Sequence, residues 1–266
     1  SFISTFLILF FVLKFSAYGI DFTDEGYYLN WISNPSLYKT SINQFGFIYH
    51  PLYNLVDGNI VWLRRLNVII IFTLSFTLTY FLINKIIEKE KINRILLIII
   101  SICISIYSLT CINLQTPSYN YLNFQGLLLT SIGLVLIDEK NFNKNFFAHI
   151  VIGLGGWLTF MAKPTSALGL TIIISIYLFL SKNFRLRFIL VSIFTSITLL
   201  ILSALIIDGS ISLFFDRHLI ALEQQSLLQS NHNLDKIFRN DNLNLPQKIK
   251  YLIFFIFLFF LFFIYF

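Results

Sequence analysis

Apolar residues in this chain come in long unbroken blocks, at 2–20, 66–83, 95–112, 122–137, 147–161, 166–181, 188–207 and 249–266. A helix rises about 1.5 Å per residue, so blocks of roughly 16–20 residues suit a hydrocarbon core of ~30 Å. Barrel strands would instead alternate over segments of about ten residues. The pattern predicts an all-α fold, a polytopic transmembrane helical bundle. Two stretches break the rhythm, 21–62 and 208–248, and both read as long loops. The first mixes Trp31, Ile32, Leu37, Tyr38, Phe45, Phe47, Ile48 and Tyr49 with polar residues, which suits short helices along the membrane interface. Asn34 and Pro35 signal a turn within it.

Composition agrees with the blocks. Only 12% of the 266 residues are charged and 57% are apolar, with a mean hydropathy of +0.78. A soluble domain carries about 25% charge. The net charge of +6 and pI near 9.2 therefore bear on topology and not on nucleic acid. Nine basic residues follow the second, fourth and sixth blocks: Lys85, Lys89, Lys91, Arg94, Lys140, Lys144, Lys182, Arg185 and Arg187. The short connectors on the opposite face hold only Lys163. Basic hinges stay cytoplasmic, so both long loops are expected outside. With no Met at position 1 and an apolar run ending at Phe266, the chain is expected to be the N-terminal part of a longer membrane domain, truncated at both ends.

Other features narrow little. Cys103 and Cys111 are eight residues apart on one predicted helix, about 12 Å along its axis, too far for a disulfide. Lys14 lies inside the first block, a costly place for a charge, and either faces the interior or is simply tolerated. The loops are unequal and no internal repeat of the transporter kind is visible.

Chemistry concentrates at the mouth of the first block. Asp21, Asp24 and Glu25 follow it directly. A carboxylate there can take a proton from an attacking group. The same cluster would equally start an interfacial helix, where acidic residues suit the dipole. Lys163, the lone charge in a short outer connector, can hold a lipid-linked phosphate at the interface or merely snorkel. Arg64 and Arg65 open the second block on the same face, as phosphate ligands or as interfacial anchors. His50 is a weaker candidate. Asp216, Arg217, His218, Asp235, Lys236, Arg239 and Asp241 in the late loop read mostly as solvating residues. The Gly153, Gly155 and Gly156 cluster falls in a block and reads as close helix packing. No His/Cys metal spacing and no glycine-rich phosphate loop is present.

Five short segments, taken in order, resemble a known family. They are TDEGYY at 23–28, HPLYNL at 50–55, LRRL at 63–66, QTPSYNYLNFQGLLL at 115–129 and GLGGWLTFMAKPTSALGL at 153–170. The chain resembles the GT-C superfamily of polyprenyl-phosphate-sugar-dependent glycosyltransferases, in the branch related to protein O-mannosyltransferases and the lipid A aminoarabinose transferase. The resemblance implies a GT-C bundle with interfacial helices in the first outer loop. It implies that Asp24 activates the acceptor beside Glu25, and that Lys163 and Arg65, with Arg64, lie near the donor phosphate. Asp21, Tyr28, His50, Tyr53, Tyr119 and Asn120 become possible substrate contacts. Members invert the anomeric centre, and many in this branch need no metal, though a divalent ion stays open. Two departures affect the donor geometry. Ser118 stands where many relatives have Asp, and Tyr49 and His50 replace a basic residue. The family also has more helices than the blocks read here.

The expectation is an integral glycosyltransferase, without a cofactor beyond its lipid-phosphate sugar substrate. It would act on a glycan, lipid or protein acceptor at the periplasmic face of a bacterial inner membrane. Two alternatives compete: a flippase or transporter of lipid-linked sugar, and an O-antigen polymerase or ligase using Arg217, His218 or Arg239. A transporter would need charges facing a pathway at mid-bilayer, where Lys14 alone qualifies.

Overall fold

The computed structural model describes residues 2–19, 24–38, 40–87, 93–111, 115–138, 141–181 and 185–227. The described residues form helices and connecting turns, with no strand among them. The chain divides into two units, Ser1–Leu222 and Glu223–Phe266. The site lies wholly in the first.

Among the described residues ten α-helices follow in order: α1 (Phe2–Phe15), α2 (Asp24–Ser33), α3 (Phe45–Leu55), α4 (Ile60–Ile86), α5 (Arg94–Ser105), α6 (Tyr119–Leu136), α7 (Phe142–Ala162), α8 (Pro164–Leu180), α9 (Leu186–Asp208) and α10 (Ile211–Leu227). Short 3-10 turns cover Pro35–Leu37 and Ile106–Cys111. The starts are set by polar caps. Asn59, Asn93, Ser118 and Asn141 each accept an N–H from the first turn of α4, α5, α6 and α7. Pro164 opens α8, where its missing N–H costs nothing. Gly209, with φ of 71°, ends α9 in the left-handed conformation that glycine adopts freely.

Among the described residues three helices are long and apolar enough to cross a membrane: α4 with 27 residues, α7 with 21 and α9 with 23. α1, α8 and the Arg94–Leu109 stretch are apolar but shorter. The block at 2–20 thus becomes a helix that stops at Phe15, with a turn at its exit. The block at 249–266 lies outside the described residues.

α7 is the central helix, flanked by α6 on one side and α9 on the other. Close approach depends on small residues. A Cβ on Gly126 would fall 2.4 Å from Thr159 Oγ1 and 2.9 Å from the Gly155 carbonyl. A Cβ on Gly155 would meet Thr130 Oγ1 at 2.3 Å and the Gly126 carbonyl at 2.7 Å. The two backbones therefore cross in direct contact at these glycines, as small-residue interfaces in membranes allow. Gly153 makes the equivalent contact with α9, 2.6 Å from the Ser192 carbonyl.

The described segment between α1 and α4 is part of the core. Trp31, Ile32, Phe45 and Tyr49 are buried against Leu63 of α4, Leu122 of α6 and Met161 and Ala162 of α7. The Gln44 N–H donates to the Met161 carbonyl at 2.7 Å, tying the start of α3 to the end of α7. Gly46 is needed here, since a Cβ would fall 2.3 Å from Trp31 Cδ1. The late loop also differs from its reading, because α10 fills its first part. Arg217, read as solvating, is buried with Asp208 and donates to the Tyr38 carbonyl at 2.7 Å. The amphipathic stretch lets Phe214, Arg217 and Ala221 turn inward together, one helical turn apart.

Candidate active site

Three elements meet where α1 ends: the first turn of α2, the first turn of α4, and the connector leading into α6. Asp24 begins α2 and is exposed, while Glu25 beside it is 3% exposed. Successive helical residues point about 100° apart, so one carboxylate turns out as the other turns in.

Glu25 is held by Arg64. The guanidinium Nη2 lies 2.7 Å from Glu25 Oε1, and Nε donates to the same oxygen at 3.0 Å. Thr116 Oγ1 also donates to Glu25 and accepts from Arg64 Nε at 3.0 Å. Arg64 further donates to the carbonyls of Ser16 and Gly19, both at 2.9 Å. Both carbonyls belong to the turn that follows α1. Arg64 was expected at the donor phosphate. Its donors are instead spent on Glu25, Thr116 and the end of α1, and it is 4% exposed. It is an anchor for the mouth.

Arg65 is half-buried. Its Nε donates to the Leu13 carbonyl at 3.3 Å and approaches Ser16 Oγ at 3.4 Å, and its guanidinium lies 4.8 Å from the Trp62 ring centre. Its two terminal nitrogens make no hydrogen bond to any described residue.

Lys163 caps the junction of α7 and α8. Its Nζ donates to Asn120 Oδ1 at 2.9 Å and stands 4.7 Å from the Tyr119 ring centre. No carboxylate pairs with it among the described residues. Burial holds its ammonium below the ordinary value of 10.5. Tyr119 in turn meets Tyr28 at 5.8 Å and Phe45 at 6.1 Å. Burial raises the Tyr28 hydroxyl, with Tyr119 and then the Asp24 charge adding to it. Contacts therefore run from Tyr28, one helical turn on from Asp24, through Tyr119 to Lys163 and Asn120.

The remaining sequence candidates separate. His50 Nδ1 donates to the Ile32 carbonyl at 2.7 Å, and Nε2 accepts from Asn54 at 3.0 Å in that tautomer. Both nitrogens are occupied in fastening α3 to α2, so His50 is a structural residue. Tyr53 packs in the 53–58 turn, where its carbonyl accepts the Gly58 N–H at 3.0 Å. Asp21 lies outside the described residues. Lys14 is exposed in the last turn of α1 and does not face an interior path.

Sequence reading missed Thr116 as a partner of Glu25, noting it only within the QTPS segment. It also missed a buried amide pair, in which Gln125 Nε2 donates to Asn67 Oδ1 at 2.9 Å and Asn67 Nδ2 to the Gln115 carbonyl at 3.2 Å. An amide inside an apolar block was the available signal, since such a group needs a partner there. Among the described residues no group of three His, Cys, Asp or Glu side chains is placed to hold a metal. No protein-family model, curated protein or solved structure matches this chain.

Proposed function

We propose that this chain is an integral membrane glycosyltransferase of the GT-C type. It moves a sugar from a polyprenyl-phosphate carrier to a cell-envelope acceptor on the outer face, with inversion. The observation that carries the reading is the division of labour at the mouth. An exposed carboxylate, Asp24, stands one turn before Tyr28, whose ring leads through Tyr119 to Lys163, a half-buried cation with no carboxylate partner among the described residues. Its neighbour Glu25 is already neutralised.

The chemistry follows from these positions. Asp24 takes the proton from an acceptor hydroxyl as its oxygen bonds to the anomeric carbon. The bond from that carbon to the phosphate oxygen breaks on the opposite side, which inverts the centre. The electron pair leaves with the lipid phosphate. Lys163 and Arg65 stabilise the charge that develops there. Arg64 and Glu25 fix the first turn of α2 and touch no substrate.

The test uses the full-length protein in liposomes with radiolabelled polyprenyl-phosphate sugars, comparing wild type with Asp24→Asn. Transfer or slow donor hydrolysis by wild type, lost in the variant with the fold intact, is the expected result. Equal turnover by the variant would remove Asp24 from the mechanism. A labelled lipid that changed leaflet with no donor consumed would make the protein a transporter.

A further inference from the structure

An acceptor hydroxyl must reach Asp24, so the surface beside Asp24 decides which acceptor fits. That surface is aromatic. Tyr27 follows Asp24 by three residues, which places it on the same side of α2, one turn on. It is 45% exposed. Its ring meets Trp31 at 5.4 Å and Tyr38 at 5.7 Å, both edge-on. Tyr38 lies flat on Trp31, with ring centres 4.7 Å apart and planes 20° apart.

The corner is rigid. Trp31 is 1% exposed and wedged against Gly46. Arg217 holds the Tyr38 carbonyl at 2.7 Å, and Asp208 fixes Arg217. Tyr27 and Tyr28 touch, with ring centres 5.9 Å apart, and lean on different neighbours. Tyr28 leans on Phe45 and Tyr119 and so leads to Lys163, whereas Tyr27 leans on Trp31 and Tyr38. Burial raises the Tyr27 hydroxyl to about 12, with Tyr38 and Tyr119 adding, which keeps it a neutral donor at ordinary pH.

A tyrosine that merely anchors a helix at the interface needs one ring and one wet hydroxyl. Here several rings form a fixed corner within a turn of a carboxylate. A pyranose has an apolar C–H face and a polar rim. The face fits a flat ring, and the rim meets phenol hydroxyls and a carboxylate. An alkyl chain lacks the rim, and an extended peptide lacks the flat face. We infer that Tyr27 and Tyr38, backed by Trp31, form a stacking platform for a pyranose ring of the acceptor, which makes the acceptor a glycan. The inference rests on the glycosyl-transfer reading and deepens it, since it assigns the Tyr28 side to the donor and the Tyr27 side to the acceptor.

The test has two arms, both on the full-length protein in nanodiscs. In the first, neutral hexasaccharides of glucose, galactose, mannose and N-acetylglucosamine are followed by saturation-transfer NMR. Saturation of pyranose C–H protons is expected for wild type. Tyr27→Ala should weaken binding about tenfold, while Tyr27→Phe, which keeps the ring, should stay within about threefold. In the second arm, binding of polyprenyl phosphate is measured. It should survive Tyr27→Ala and weaken in Lys163→Ala. If phosphate binds at Lys163 while no saccharide in the panel binds, or Tyr27→Ala binds saccharide as wild type does, the platform is wrong and the glycosyltransferase reading stands. If neither probe binds, both fall together. A serine-containing peptide protecting Tyr27 where saccharides do not would also overturn the platform.

Discussion

Asp24 and Arg65 stand open or half-open at the mouth of the protein, whereas their immediate neighbours Glu25 and Arg64 are buried against each other. The two pairs have the same chemistry and almost the same sequence positions. Helix geometry separates them, because each step along α2 or α4 turns a side chain by about 100°. The inward pair is neutralised, hydrogen-bonded through Thr116 and used to close the exit of α1. The outward pair keeps unspent acceptors and donors. Two like residues in tandem are therefore not a doubled site. One is spent inside the fold and the other stays open to the surface.

The strongest way to break this comparison is to remove one inner partner. Arg64→Ala would leave Glu25 as an uncompensated buried charge and should cost ~3–5 kcal/mol. Thermal unfolding in detergent should show a large loss of Tm, or the protein should fail to accumulate. The double variant Glu25→Gln with Arg64→Gln should lose much less than the sum of the single changes, because the two interact directly. Additive losses would mean that the pair is not coupled.

The outer pair should behave in the opposite way. Asp24→Asn is expected to lower transfer by ~10²–10⁴, the usual weight of a general base, while stability changes by no more than about 0.5 kcal/mol. A large loss of Tm in this variant would place Asp24 with the inner group.

A pH series sharpens the role of Lys163. Burial lowers its folded value below 10.5, and phosphate binding needs the ammonium. Affinity for polyprenyl phosphate should therefore fall as pH rises through that lowered value, earlier than for a surface lysine. Lys163→Arg should flatten the fall, since guanidinium stays charged. A fall of equal size in both proteins would assign the titration elsewhere.

The smallest effect on activity is expected at His50. His50→Ala removes the hydrogen bonds to Ile32 and Asn54, worth ~1 kcal/mol each. Tm should drop by a few degrees, with activity per folded molecule unchanged.

Much of this protein was legible in its sequence. Apolar blocks marked the all-helical class, because a membrane-crossing segment must be both long and continuously apolar, and three of the described helices meet that length. The acidic mouth, Lys163 and the tandem arginines stood out because charge is scarce here. Even the glycines of α7 could be read as packing residues. Other features depend on contacts between segments far apart in the chain. Arg64 meets Glu25 across 39 positions and Thr116 across 52, and Arg217 reaches Tyr38 across 179. A buried ion pair and a solvated one have the same letters. Only packing removes the water that would otherwise screen them, and so only the tertiary structure decided which carboxylate and which arginine remain open to a substrate.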